Sequence, residues 1–421
     1  MDTTFKKVYL VGGAVRDALL GVECVDNDYV VVGESVDAML KLGFQTIGSD
    51  FPVFLHPKTK DEYALARTER KSGSGYTGFT VDASSSVTLE EDLSRRDLTI
   101  NAMARDEQGI IIDPFNGQQD LQAKVLRHTT LAFTEDPVRV LRVARFLARL
   151  GDQWTIHPQT YQLMQQLRDS GELKHLVAER VWKETEKALG EKYPHLYFEA
   201  LQGLGIFPEV EVMVNIPQPV AHHPEGDVYN HTMLVLKQAA DKNYDLETRF
   251  AALTHDFGKA ICHQKRGKLH GHEQAGLPII DAFCERIKVP NRFKTIALLT
   301  SDNHTLCHTI FQLTAKTLHK LLIDKLNGVA QPERFQQFLQ ACICDAQGRG
   351  PDYVDKPYPQ ADFAQALVTA LGDMDKKSIV QEAIKQGKKG PDIGGAVRIA
   401  ELSCISQYLQ ANKAYIDTLK R

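Results

Sequence analysis

The sequence predicts an α+β protein in which a mixed N-terminal domain precedes a long, almost wholly helical remainder. Residues 1–135 alternate short β-rich runs such as KVYLV and DYVVVG with helical patterns and glycine turns, which is typical of an α/β or α+β domain. From Thr134 onward strand signals nearly vanish, and helical patterns continue to the C-terminus. The chain therefore changes structural class near residue 135.

Composition is that of an ordinary globular protein. The 421 residues are enough for two to four domains of about 100–200 residues. No apolar run approaches the roughly 18 residues of a membrane span, and the N-terminus lacks the pattern of a signal peptide. Seven cysteines without a CxxC pair fit a reducing compartment. We therefore expect a cytoplasmic protein that does not associate with membranes.

Net charge is −4, which by itself argues against bulk electrostatic affinity for nucleic acid. Residues 376–421 differ from the rest, because they hold nine Lys or Arg against four Asp or Glu. This basic segment is compatible with phosphate contacts and equally with a solvated helix surface.

Two segments rich in proline and glycine interrupt the helical remainder, since both residues break helices. They are NIPQPVAHHPEGDVYN at 215–230 and GRGPDYVDKPYPQ at 348–360. The predicted domains are 1–135, 136–215, 216–350 and 351–421.

The first element with a chemical signature is a strand, VYLV, followed by Gly12, Gly13 and a helix start. The glycines fit neither the dinucleotide fingerprint GxGxxG nor the P-loop. Backbone N–H groups at a helix N-terminus favour anions, and Arg16 in the first turn adds bidentate phosphate recognition. We expect Gly13 and Arg16 to bind a nucleotide.

Asp26 and Asp28 come next, one residue apart at the start of an apolar strand. At i and i+2 both side chains project from one face, about 6.5–7 Å apart. Two oxygen ligands leave most positions of Mg²⁺ for water and substrate phosphates. Alone, the pair also fits a solvated turn. After Arg16 in one short βαβ stretch it predicts a catalytic Mg²⁺ site for phosphoryl or nucleotidyl transfer. Glu62 is a candidate third carboxylate.

Thr88 and Glu91 form a capping box, which predicts a helix running through LSRRDLTINAM. On it, Arg96 is expected to bind phosphate and Asp97 to accept from a ribose 2′-OH. The alternative for Asp97 is a structural partner of the neighbouring arginines.

A row of charged residues spaced three apart follows in EDPVRVLRVARF: Asp136, Arg139, Arg142 and Arg145. A solvated basic helix face is the ordinary reading of such a row. Asp and Arg at i and i+3 also suit base recognition, because cytosine and adenine both present an amino donor beside a ring nitrogen acceptor. We expect these four residues to bind a nucleotide that carries one of these bases.

A second set of candidate ligands lies in the helical remainder. It comprises His231, His255, Asp256 and Asp345. A single histidine on a helix is usually structural, but an adjacent His-Asp pair between two further ligands suits a divalent metal.

Four motifs, LVGGAVRDALLG followed by DNDYVVVG, ALARTERKSGSGYTGF, RRDLTINAMA and EDPVRVLRVARF, resemble those of the class II tRNA nucleotidyltransferases. The chain is similar, over nearly its whole length, to the bacterial CCA-adding enzymes that carry an HD phosphohydrolase domain. The resemblance implies a polymerase beta-like nucleotidyltransferase head followed by a helical neck, HD domain and tail. It implies addition of CCA to tRNA from CTP and ATP, with Asp136 and Arg139 selecting the base.

The order H, HD, D resembles the HD phosphohydrolase family, which implies that those four side chains bind one metal and activate water. Substrates would be 2′,3′-cyclic phosphates or 2′-nucleotides, and Ni²⁺, Mg²⁺ or Mn²⁺ would suit the mixed ligands. Lys259 is expected to steady a phosphate, and His272 and His304 to serve a second metal.

Two other functions share these features. A poly(A) polymerase shares the head motifs, and an HD phosphohydrolase with a nucleotide-sensing N-terminal half shares the metal ligands. The expected partner is tRNA, and the expected state is a monomer or weak homo-oligomer.

Overall fold

The computed structural model describes residues 5, 7–23, 27–47, 53–71, 79–221 and 223–419. The chain forms two compact units, Met1–Phe207 and Pro208–Arg421. None of the helices in these ranges is long and apolar enough to cross a bilayer.

The first unit contains the strands. They are β1 (Val8–Val11), β2 (Asp28–Val31), β3 (Gln45–Ile47), β4 (Val53–Leu55), β5 (Glu62–Leu65), β6 (Thr68–Lys71), β7 (Phe79–Asp82), β8 (Ala104–Arg105), β9 (Ile111–Ile112), β10 (Val125–Leu126) and β11 (Thr155–Ile156). Seven of them form one mixed sheet in the order β3-β4-β5-β2-β1-β8-β9, while β6 pairs with β7 and β10 with β11.

Helices surround the sheet of the first unit. They are α1 (Gly13–Leu19), α2 (Val36–Lys41), α3 (Leu89–Ser94), α4 (Gly117–Ala123), α5 (Val138–Leu150), α6 (Pro158–Asp169), α7 (Ala178–Gly190) and α8 (His195–Leu201). Short 3-10 helices cover Thr99–Asn101, Leu131–Glu135 and Glu172–His175.

The strands that flank α1 differ from the predicted βαβ arrangement. β1 and β2 are antiparallel neighbours, so α1 joins adjacent antiparallel strands and is not a parallel crossover. The parallel neighbour of β2 is β5, with Asp28 in register with Glu62. Residues in register on parallel strands point to the same face, so these two carboxylates share one end and one face of the sheet.

The capping box is present, but the predicted helix is too long. Glu91 N donates to Thr88 Oγ1 at 3.2 Å, and Thr88 N donates to Glu91 Oε2 at 2.8 Å. Helix α3 nevertheless ends at Ser94. The carboxylate of Asp97 accepts from the backbone N–H of Leu98 at 2.9 Å, and such local side-chain bonds compete with the helix ladder.

Helix α5 is buried around most of its circumference. Val140, Leu141 and Ala144 have no exposed surface, and the helix packs against α7 and α8. Its arginines are therefore not a row on a solvated face: Arg139 and Arg145 are each only 8% exposed.

In the second unit the described helices are joined by loops and one isolated β-bridge, between Pro217 and Asp227. The helices are α9 (Pro208–Glu211), α10 (Val228–Asp241), α11 (Leu246–Thr254), α12 (Gly258–Arg266), α13 (His272–Ile287), α14 (Asn291–His308), α15 (Ala315–His319), α16 (Pro332–Gln347), α17 (Pro359–Gly372), α18 (Lys376–Lys385), α19 (Pro391–Ala411) and α20 (Lys413–Leu419). A π-helical stretch covers Lys320–Lys325. One hydrophobic core joins α14, α16, α17 and α19, with Phe338, Leu367 and Ile405 among its buried members. A mixed sheet followed by helices confirms the predicted α+β class.

Candidate active sites

A cavity of about 520 Å³ lies in the first unit. Its lining includes Gly12, Gly13, Phe146, nine arginines and, among the residues described, three aspartates. The charged lining residues are Arg16, Arg67, Arg95, Arg96, Arg139, Arg142, Arg145, Arg149, Arg180, Asp28, Asp97 and Asp136. This excess of guanidinium groups, which bind phosphates bidentately, suits a polyanionic ligand such as a triphosphate.

The glycine turn lets two arginines approach the backbone. Gly12 has φ +69°, and a Cβ there would lie 2.8 Å from Nη1 of Arg96. Arg16 is buried, with Nη1 donating to Asn101 Oδ1 at 2.5 Å and Nη2 lying 2.8 Å from Asp17 Oδ1. Arg16 and Arg96 thus line one cavity beside the turn, and their binding of phosphate stays a prediction.

Of the two aspartates predicted to bind Mg²⁺, only Asp28 lies within the described residues. Asp26 lies outside the described residues. Asp28 is the exposed first residue of β2 and lines the cavity. Glu62 begins the adjacent strand in register with Asp28, which is compatible with its being a third carboxylate.

The buried carboxylate of Asp92 holds the two arginines of the segment 95–97 in place. Asp92 has no exposed surface and lies 2.7 Å from Arg95 Nη2 and 3.2 Å from Arg96 Nη2. Burial opposes ionisation of Asp92, but the two arginines outweigh it, so its pKa lies below the usual value. Arg95 also donates from Nε to the carbonyl of Arg67 at 3.0 Å.

Both carboxylate oxygens of Asp97 accept hydrogen bonds. Oδ1 accepts from Leu98 N at 2.9 Å and Asn101 Nδ2 at 3.0 Å, and Oδ2 accepts from Arg142 Nε at 2.6 Å. Burial raises its pKa, but Arg142 and Asn101 outweigh this and the net shift is downward. Its arginine partner therefore comes from α5 rather than from the adjacent residues, and a ribose contact stays a prediction.

Three guanidinium groups, two from α5 and one from α1, lie around the ring of Phe146. The ring centroid of Phe146 lies 5.0 Å from Cζ of Arg145, 5.1 Å from Arg16 and 5.8 Å from Arg142. Such distances are those of cation–π contacts. Arg145 is further held by Glu184 at 2.7 Å, so the row is fixed in the cavity wall.

The residues predicted to select the base are held by their neighbours. Asp136 is bound by Arg180, with Nη2 to Oδ2 at 3.0 Å and Nη1 to Oδ1 at 3.3 Å. Arg139 Nη1 donates to the carbonyl of Ala132 at 2.7 Å. Arg180 comes from α7, and sequence reasoning missed it because no local motif marks it.

In the second unit, three buried side chains from different helices bring their donor atoms together. Nε2 of His231 (α10) lies 3.1 Å from Oδ1 of Asp345 (α16), and Nε2 of His255, after α11, lies 3.9 Å from the same oxygen. These donor atoms all lie within 4.8 Å of one another. Ligands about 2.1 Å from a common metal have similar mutual spacings.

Asp256, His272 and His304 form an adjoining group. Oδ1 of Asp256 lies 3.3 Å from His272 Nε2 and 3.7 Å from His304 Nε2. Oδ2 of Asp256 lies 3.0 Å from His255 Nε2. The four predicted ligands thus lie together, and Asp256 presents one oxygen to each group.

Each of the four histidines in these groups turns Nε2 toward the other donor atoms and places Nδ1 near a hydrogen-bond acceptor. The acceptor fixes the tautomer of the neutral ring. The Nδ1 distances are 2.7 Å for His231 to Glu225 Oε1, 2.8 Å for His255 to Ala252 O, 3.1 Å for His272 to Leu269 O and 3.0 Å for His304 to Thr300 O. A proton on Nδ1 leaves the Nε2 lone pair for a metal. His272 and His304 face each other through Nε2 at 3.1 Å, an arrangement that a cation between them stabilises.

Charges at this site suit a cation. Burial raises the pKa of Asp256, but His255 and Lys259 outweigh it and hold the pKa well below its usual value. Burial lowers the pKa of His304 to about 3, so the ring is neutral. Neither oxygen of Asp256 receives a hydrogen bond of normal geometry from the described residues. The donor set therefore fits a divalent metal.

Several residues at this site were not predicted. Glu225 lies beside His231, and Arg349 Nη2 lies 4.0 Å from Asp345 Oδ1. Lys259, which was predicted, has Nζ 2.6 Å from Asp256 Oδ2. His308 lies one turn after His304, and that spacing was the only local signal for it.

Three family models match the chain. They are the poly A polymerase head domain at residues 8–127, a probable RNA- and SrmB-binding site of polymerase A at 154–213, and the HD domain at 228–331.

Solved structures share this fold. The Bacillus stearothermophilus CCA-adding enzyme in complex with CTP is 21% identical, with a TM-score of 0.62, over 99% of this chain and 93% of that one. The Thermotoga maritima CCA-adding enzyme complexed with tRNA is 21% identical, with a TM-score of 0.60, over 96% and 91%. At this identity the likeness concerns the fold.

Curated relatives are much more similar in sequence. The multifunctional CCA protein of Hahella chejuensis is 49% identical over 96% of both chains, and that of Haemophilus influenzae is 50% identical over 90% of this chain and 94% of the relative. This confirms the resemblance seen in the motifs. The chain belongs to the multifunctional CCA protein family, CCA-adding nucleotidyltransferases with an HD phosphohydrolase domain.

Proposed function

We propose that this protein adds the 3′-terminal CCA to tRNA from CTP and ATP without a nucleic-acid template. The observation that carries the proposal is the arginine-lined cavity with Asp28 at its wall and the pair Asp136–Arg139 beside it. The relatives named above are CCA proteins, and the two solved structures hold CTP and tRNA.

The residues of the cavity have separate tasks in this reaction. The 3′-OH of tRNA attacks the α-phosphate of the bound nucleotide, and pyrophosphate leaves. Gly13, Arg16 and Arg96 bind the phosphates, which places the α-phosphate for attack. Asp26 and Asp28 would hold Mg²⁺, which supplies activation of the hydroxyl and neutralisation of the leaving group. Carboxylates are the ligands that Mg²⁺ prefers.

Base selection is assigned to Asp136 and Arg139. The carboxylate accepts from the exocyclic amino group of cytosine or adenine, and the guanidinium donates to the ring nitrogen. Guanine and uracil present a carbonyl and an N–H at these positions, so both are rejected. Arg180 holds Asp136 by two bonds, which keeps its carboxylate at the cavity. Arg142, Arg145 and Asp97 complete the nucleotide site.

The HD domain is proposed to hydrolyse small phosphoesters such as 2′,3′-cyclic phosphates and 2′-nucleotides. His231, His255, Asp256 and Asp345 would hold one divalent metal, Ni²⁺, Mg²⁺ or Mn²⁺, which supplies an activated water. His272 and His304 would hold a second with Asp256. Lys259 and Arg349 place positive charge beside these ligands, where a substrate phosphate needs it.

Recognition of tRNA is proposed to use shape and phosphates, since one enzyme must serve many tRNAs. The arginines of α5 and the basic segment 376–421 are the proposed contacts.

We also propose that the chain is divided into domains at residues 135, 215 and 350. The protein is proposed to be cytoplasmic and to be a monomer or a weak homo-oligomer.

One incorporation experiment tests the proposed function. Purified protein is incubated with tRNA that lacks its 3′ end and with each nucleoside triphosphate singly and in combination. Addition that stops after C, C and A supports the proposal. An unlimited A tail would identify a poly(A) polymerase, and no addition with intact hydrolysis would identify an HD phosphohydrolase with a nucleotide-sensing head.

A further inference from the structure

A hydrogen-bonded chain leads from Asp345 away from the metal-binding donors. Oδ1 of Asp345 faces His231 at 3.1 Å. Its other oxygen, Oδ2, lies 2.6 Å from Nε2 of His308. Nδ1 of His308 in turn lies 2.7 Å from the hydroxyl of Tyr358. Neither His308 nor Tyr358 belongs to any of the three groups of clustered metal-donor atoms found among the described residues.

The chemistry of the carboxylate fixes the direction of the first bond. An ionised carboxylate only accepts, so Nε2 of His308 carries a proton and donates to Asp345. Nδ1 of the same ring forms the second hydrogen bond, to the hydroxyl of Tyr358. The two rings lie edge to face, with centroids 5.5 Å apart, and Gln360 Nε2 donates to the carbonyl of His308 at 3.3 Å. His308 and Tyr358 are therefore held in one geometry.

We propose that His308 and Tyr358 are positioning residues of the HD site. They hold Asp345 with Oδ2 turned toward His308 and Oδ1 left to bind the metal as a single oxygen donor. The proposal rests on the proposed metal-dependent function of this site. Partners that orient a metal-binding side chain commonly change metal affinity by about 10- to 100-fold.

The position of Tyr358 extends the site beyond the HD motif. Tyr358 immediately precedes α17 and lies outside residues 228–331, which match the HD family model. The segment that follows α16 therefore supplies part of the support for Asp345. A tyrosine distant in sequence from the HD pair thus acts on the metal through two hydrogen bonds.

Metal affinity tests the proposal without relying on catalysis. Mn²⁺ binding is measured by equilibrium dialysis on the full chain carrying Asp28→Ala, so that the head site contributes little. Adding Tyr358→Phe, which removes one oxygen atom, should weaken binding about tenfold, and His308→Ala should weaken it further. His308→Gln keeps a donor for Asp345 and should fall between His308→Ala and the parent.

The control is Tyr353→Phe, in the same segment, where the ring contacts Lys356. It should bind Mn²⁺ as the parent does. Parental affinity in both Tyr358→Phe and His308→Ala, with binding lost in His255→Ala, would overturn the positioning role alone. Equal binding by the parent and His255→Ala would overturn the proposed metal site itself.

Discussion

Gly258 is a position at which the structure leaves no room for a side chain. It begins α12, directly behind the His255-Asp256 pair. A Cβ built there would lie 2.0 Å from the carbonyl oxygen of His272 and 2.6 Å from the nitrogen of Gly276, where ordinary contact begins at 3.4 Å. Both neighbours are backbone atoms of α13, so Gly258→Ala must push α12 and α13 apart by more than 1 Å.

The expected loss follows from this overlap. Overpacking of a buried contact costs about 1–3 kcal/mol. For a unit of this size each kcal/mol lowers Tm by about 2–4 °C, so Gly258→Ala should lower the Tm of the second unit by about 2–12 °C. His272 would move relative to Asp256, now 3.3 Å away, and hydrolysis of 2′,3′-cyclic nucleotides should fall with it.

Scanning calorimetry measures the first effect, and chromatography of the nucleoside monophosphate formed from a 2′,3′-cyclic nucleotide measures the second, with CCA addition as the readout of the head. The matched control is Gly394→Ala, since Gly394 lies within α19 and its added Cβ would meet nothing within 4 Å. Alanine favours a helix over glycine by about 1 kcal/mol, so this variant should be as stable as the parent or more so. Wild-type Tm and hydrolysis in Gly258→Ala would contradict the close approach of the two helices.

Three further changes probe the head. Asp28→Ala should lower CTP incorporation by about a thousandfold or more, because metal ions supply several kcal/mol at such sites, while hydrolysis persists. Asp136→Ala or Arg139→Ala should admit GTP and UTP in single-nucleotide assays. Asp97→Asn should lower the free energy of unfolding by about 2 kcal/mol at pH 7. Because the folded-state pKa of Asp97 is depressed, its stabilisation is complete above its unfolded pKa of about 4 and is lost as pH falls toward the folded value.

Each of these predictions would be contradicted by a specific outcome. Substantial CTP incorporation by Asp28→Ala would remove Asp28 from catalysis. Incorporation of only CTP and ATP at normal rates by Asp136→Ala and Arg139→Ala would remove base selection from the pair. A stability difference for Asp97→Asn that does not shrink below about pH 4 would show that its charge is not what stabilises the fold.

Local patterns in the sequence predicted the elements that depend on local chemistry. The change from mixed to helical structure and the capping box at Thr88 follow from residue types at short spacings. The approach of His231, His255 and Asp345, which are separated by up to 114 residues, was expected from the resemblance to the HD family. The end of α3 at Ser94 was not predicted. The local bond from Leu98 N to Asp97 competes with the helix, and the orientation of that carboxylate also depends on Arg142, 45 residues away.

The remaining errors have the same physical cause. Arg180 reaches Asp136 across 44 residues, and Tyr358 reaches His308 across 50. Neither carries a local signal, since such contacts exist only once the helices pack. The antiparallel pairing of β1 and β2 likewise depends on which strands lie adjacent, which strand composition does not specify.

The most direct measurement is a crystal structure with CTP and Mn²⁺, in which anomalous scattering locates the metal. We expect Mn²⁺ at Asp28, the triphosphate among Arg16, Arg96 and the arginines of α5, and the cytosine at Asp136 and Arg139. A triphosphate bound away from Asp28 and these arginines would contradict the proposed nucleotidyl transfer site.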